Sequence, residues 1–105
     1  MDLTAVVDDH LAKARVAPHG RSAELLVRDG PLRQSVIALT AGTELGEHEA
    51  PVAATLFVLR GRVRVTASGG DLELAGGEFA CVPHERHGLT ALEDSAVVLT
   101  SVTGV

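Results

Sequence analysis

From residue 22 to the end, the chain sets short apolar runs between glycine, proline and acidic punctuation, a pattern of strands rather than helices. Residues 23–28 predict a first strand, and Asp29-Gly30-Pro31 a turn. Residues 32–41 predict a longer strand carrying Val36, Ile37 and Leu39, and Gly42 closes it. A polar loop holding His48 follows, then an apolar strand over 55–59 that Arg60-Gly61 breaks. Residues 62–67 alternate charged and apolar side chains, as a strand with one wet face does. Ser68-Gly69-Gly70-Asp71 is a hairpin turn, from which 72–75 return before Gly76-Gly77 turns again into 79–82. Residues 89–92 and 96–102 form a last hairpin around Glu93-Asp94-Ser95. About eight short strands at this spacing predict an all-β chain rolled into a closed antiparallel barrel or jelly roll.

Ahead of the strands, residues 3–15 change period. Leu3, Val6, Val7, Leu11 and Ala14 recur at helical spacing, while Asp8, Asp9, Lys13 and Arg15 fall largely on the other side. Asp2 or Thr4 is the expected N-cap, and Pro18 and Gly20 end the helix. The expected division is therefore residues 1–20, a helix and linker packing on the barrel, and 21–105, the barrel itself. His10 is expected on the helix surface and His19 in the loop.

Composition narrows the function classes. A chain of 105 residues builds one core, and its 46% apolar content is enough to fold it. Tyrosine and tryptophan are absent and Phe57 and Phe79 are the two aromatics, which argues against a base-stacking surface. Net charge is −5 and Arg60, Arg62 and Arg64 make the one local basic cluster, which reads as a solvated strand face. Nucleic acid is not an expected partner. The lone cysteine, Cys81, lies between Ala80 and Val82 and is expected to be a buried, inert thiol. The start of the chain lacks a basic, apolar leader and no run is long enough to cross a bilayer, so a soluble cytoplasmic protein without membrane contact is expected.

Two corners repeat one construction. Gly42 precedes His48 by five intervening residues and the segment closes on Gly61; Gly77 precedes Pro83 by five, and His84 and His87 follow. These corners resemble the paired motifs of the cupin superfamily, over roughly residues 32–103. The first motif has glycine, five residues, His-x-His, then a glutamate and a glycine; the second has glycine, five residues, proline, a further glycine and a histidine. The resemblance implies a small jelly-roll barrel, and barrel-to-barrel pairing as in many small cupins. It also implies that a family metal would be held by three histidines and the glutamate. Here Ala50 stands at the second histidine and Ala54 at the glutamate, leaving His48 and His87. His87 arrives one position early, and Glu85 replaces the glycine after the proline.

A catalytic zinc or non-haem iron needs about three protein ligands and an open position. Two imidazoles beside two methyl groups fall short, so no cofactor is expected, with a divalent transition metal as the weaker alternative. Strand alternation turns Ala54, Leu56 and Val58 inward with His48, and Thr55, Phe57 and Leu59 outward. The expected ligand pocket is thus His48, Ala50, Ala54, Leu56, Val58 and His87, suited to a small, partly apolar molecule. The competing expectation is a barrel whose interior is simply filled by its own side chains. A metal-dependent oxygenase or isomerase using His48 and His87 is the alternative function. The outward Phe57 and Leu59 need cover, from the helix or from a second copy, and a homodimer is expected.

Overall fold

A computed structural model describes residues 1–48 and 53–104, for residues 47 and 48 the backbone. Among the described residues, one helix, α1 (Leu3–Val16), precedes nine strands. These are β1 (Arg21–Asp29), β2 (Leu32–Leu39), β3 (Glu44–His48), β4 (Ala53–Arg60), β5 (Arg62–Ala67), β6 (Leu72–Ala75), β7 (Phe79–Cys81), β8 (His87–Ala91) and β9 (Ser95–Val102). They form two antiparallel sheets, ordered β1-β2-β9-β4-β7 and β3-β8-β5-β6. The sheets close on a shared core as a jelly-roll barrel.

The core follows from period-2 alternation. Ala54, Leu56 and Val58 of β4 point inward, as the alternation predicts, and meet Val63, Val65, Leu74, Leu89 and Ala91 of the opposite sheet. The run Ser35-Val36-Ile37-Ala38-Leu39 has no wet side because β2 is covered on both faces. Ile37 and Leu39 enter the barrel core, while Val36 and Ala38 join Ala96 beneath the helix. Val7, Leu11 and Ala14 of α1, one row along the helix, complete that second layer. Burying Val7 and Leu11 this way contributes about 1.5–3 kcal/mol each. Asp2 caps α1, its Oδ1 accepting from the Thr4 and Ala5 amides at 3.0 and 3.3 Å. Arg60–Asp8 at 2.7 Å and Arg15–Asp94 at 3.1 Å tie the helix to the barrel's turns.

Between β4 and β5 the chain bends from one sheet into the other on Gly61 alone, at φ +87°. A Cβ there would stand 2.8 Å from the Ser95 Cα and would also collide with Ser95 Oγ and the Asp94 carbonyl, so this close approach excludes a side chain.

Three expectations are corrected. The loop expected to hold His48 is in part a strand: β3 pairs with β8, and its backbone bonds are supplied by a neighbour that its own polar sequence does not announce. His10 is not on the helix surface but 4% exposed, on the row of Val7 and Ala14 that faces β1. Cys81 is exposed rather than buried, because alternation in β7 turns Ala80 inward and Phe79 and Cys81 out. Among the described residues no helix is long and apolar enough to cross a membrane.

Candidate functional site: an aliphatic cavity with an imidazole in its wall

A cavity of about 90 Å³ lies inside the barrel. Ile37 and Leu99 line it from one sheet, and Leu45, Val65 and Leu89 from the other. Leu56, Val82 and His87 complete the wall that matters to its chemistry: the histidine is its one strongly polar side chain among the described residues. His87 begins β8 and is 6% exposed. Its Nδ1 lies 2.9 Å from the carbonyl oxygen of Glu85. A carbonyl only accepts, so Nδ1 carries the hydrogen, and in the neutral ring the lone pair sits on Nε2.

The expected site residues fall into four groups. Leu56 and His87 line the cavity, whereas Ala54 and Val58 belong to the surrounding core without lining it. His48 is the register partner of His87 across β3 and β8, so the backbone brings the two positions together at one end of that ladder. Ala50 lies outside the described residues. Of the two histidines after Pro83, His87 turns inward and His84 is exposed. Sequence reasoning missed Ile37, Leu45, Val65, Val82, Leu89 and Leu99 as cavity lining. Alternation along each strand marks them as inward, but says nothing about where inward side chains leave space.

Among the described residues no three His, Cys, Asp or Glu side chains cluster closely enough to hold an ion. Ala54, at the glutamate position of the motif, contributes a buried methyl group instead.

No protein-family model matches the sequence, and no curated protein does. Solved structures do match. A conserved protein of unknown function, SPY1581 from Streptococcus pyogenes, superposes with TM-score 0.75 at 26% identity, covering 85% of this chain and 79% of that one. KdgF from Halomonas sp. gives 0.70 at 25% identity, covering 85% of each. A cupin-2 domain-containing protein from Shewanella frigidimarina gives 0.72 at 13% identity, covering 97% of this chain and 93% of that one. At that identity the last likeness speaks for the fold alone.

Proposed function

This chain is a small cupin-domain protein, and from that premise we propose that it is a binding or sensing barrel, working without a catalytic metal, for a small and mainly apolar molecule bearing one hydrogen-bonding group. The observation that carries the proposal is the pairing of an aliphatic cavity with an oriented imidazole, the one that lines it among the described residues. Apolar walls favour the ligand through water release, and one polar contact fixes its orientation. An apolar cavity of ~150 Å³ admits benzene, so about 90 Å³ suits a compact molecule of a few heavy atoms or the branched end of a larger one.

The test is a titration of the purified protein with short branched and linear carboxylic acids, alcohols and amides, followed through the methyl resonances of Leu56, Val65 and Leu89. Saturable shifts confined to those methyls and the His87 ring are expected for at least one class. The absence of any shift at millimolar ligand would sink the reading in favour of a filled, structural barrel.

The juxtaposition of positions 48 and 87 favours a second reading, a metal-dependent oxygenase or isomerase. Stoichiometric iron, manganese or zinc after purification in chelator-free buffer, lost in His48→Ala, would establish it over the first.

The barrel is proposed to work as a homodimer joined through the outer face around Phe57 and Phe79. Both are exposed, at 38% and 65%, while Leu59 beside them is partly covered by α1. A stacked aromatic pair left on a sheet face is the kind of patch a partner covers.

A further inference from the structure

The β5–β8 ladder ends on the pair Ala67↔His87. Past that point one strand enters the turn 68–71 and the other meets the irregular corner 82–86. What joins them there is a side chain. The Gly69 amide donates to Oε1 of Glu85 at 3.0 Å, and the Ser68 hydroxyl donates to Oε2 at 3.2 Å. The main-chain oxygen of the same Glu85 accepts the Nδ1 hydrogen of His87 at 2.9 Å. One residue is thus fastened at its side chain to a neighbouring turn and at its backbone to the imidazole.

We propose that Glu85 is a positioning residue that fixes the ring orientation and tautomer of His87 by anchoring its own carbonyl to the 68–71 turn. The inference rests on His87 being the polar group of the cavity. Its physical basis is that the tautomer of a histidine is set by the bond its other nitrogen makes. A carbonyl on an irregular corner holds that bond only as well as its own backbone is held. Val82 secures the entry to the corner, its amide donating to the Ala54 carbonyl at 2.9 Å. Beyond it, the Glu85 carboxylate supplies two charge-assisted contacts that a strand ladder would otherwise provide. The turn is shaped to receive them: a Cβ at Gly69 would lie 3.3 Å from Oε1, so the glycine lets backbone and carboxylate approach. Glu85 stands where the resembled motif has a glycine, which has no side chain with which to make this bridge.

The test is the nitrogen spectrum of the His87 ring in the full chain, with no ligand added, alongside thermal unfolding. In the unaltered protein a single Nδ1–H form is expected. In Glu85→Ala that signature gives way to an average of both tautomers while the unfolding midpoint stays close to the original. Glu85→Gln restores most of the Nδ1–H form, because its amide oxygen still accepts from Gly69. An unchanged ring spectrum in Glu85→Ala overturns the proposal. Should that variant fail to fold, Ser68→Ala, which removes the hydroxyl contact, and Glu85→Asp, which draws the carboxylate one carbon back from the Gly69 amide, decide the matter. A shift toward the mixed form in either supports the proposal, and no change in both overturns it. A changed ring spectrum together with no small-molecule binding to the unaltered protein would keep the positioning role and discard the binding reading.

Discussion

Phe57 on β4 and Phe79 on β7 are register partners whose rings stack outside the barrel, 6.2 Å between centroids and 10° between planes. The helix covers β1 and β2 and stops short of this pair, so the sheet's outer face is half shielded and half bare. If the bare half joins two copies, Phe79→Glu places a charge in the joint and weakens it by at least about tenfold, or about 1.4 kcal/mol. Sedimentation at micromolar concentration is expected to give a two-chain mass for the unaltered protein and a one-chain mass for the variant. A one-chain mass for the unaltered protein would end the dimer proposal.

Leu56, on the inner side of the same strand, touches the cavity and the core at once. Leu56→Ala is expected to cost about 2–5 kcal/mol through lost burial and a larger void. Leu56→Phe fills the space instead, at about 1–3 kcal/mol of overpacking, and abolishes ligand-induced methyl shifts. Urea unfolding combined with the ligand titration checks both. Binding that persists in Leu56→Phe would place the ligand elsewhere.

His10 is a buried link between helix and sheet. Its Nδ1 lies 2.7 Å from Ser22 Oγ and its Nε2 2.8 Å from Glu24 Oε1, both on β1. Glu24 accepts from Nε2–H, while the serine hydroxyl serves Nδ1 as donor or acceptor. His10→Ala removes both bonds and leaves a gap under α1, an expected loss of about 1–3 kcal/mol. Limited proteolysis is expected to cut the first 20 residues sooner than in the unaltered chain. Cleavage at the original rate would mean the apolar row alone holds the helix.

Asp94 makes stability depend on acid. The Ala41 amide and then the Arg15 guanidinium hold its carboxyl below the usual carboxylate range. A folded value below the unfolded one stabilises at pH above the unfolded value, and that contribution is lost as pH falls through the folded value. Asp94→Asn is therefore expected to lower the urea midpoint at neutral pH and to flatten its decline on acidification. Parallel pH profiles for the two proteins would show that Asp94 carries none of the dependence.

Most of the fold was legible because strands that face water on one side write it into the sequence. Arg62-Val63-Arg64-Val65 alternates cleanly, and Ser68-Gly69-Gly70-Asp71 names its own turn. β3 was not legible, since Glu44-Leu45-Gly46-Glu47-His48 holds a single large apolar residue and owes its form to pairing with β8. His10 sits on the same helical row as Val7 and Ala14, but a polar residue there reads as surface until Ser22 and Glu24 are seen opposite it. Cys81 was misjudged from its apolar neighbours when its distance of one residue from inward Ala80 was the better guide. In the cavity, Leu56 and His87 could be named from alternation and motif, whereas the Glu85 bridge could not. Its partners lie 16 and 17 residues away and meet it only once β5 and β8 have paired.

Adjacent residues of β4 look in opposite directions: Leu56 into the hollow, Phe57 toward whatever lies beyond the wall. A guest inside and a neighbour outside would therefore push on two faces of one ribbon, a single peptide unit apart. In a barrel whose wall is one backbone thick, occupancy has no distance to travel before it is felt at the exterior.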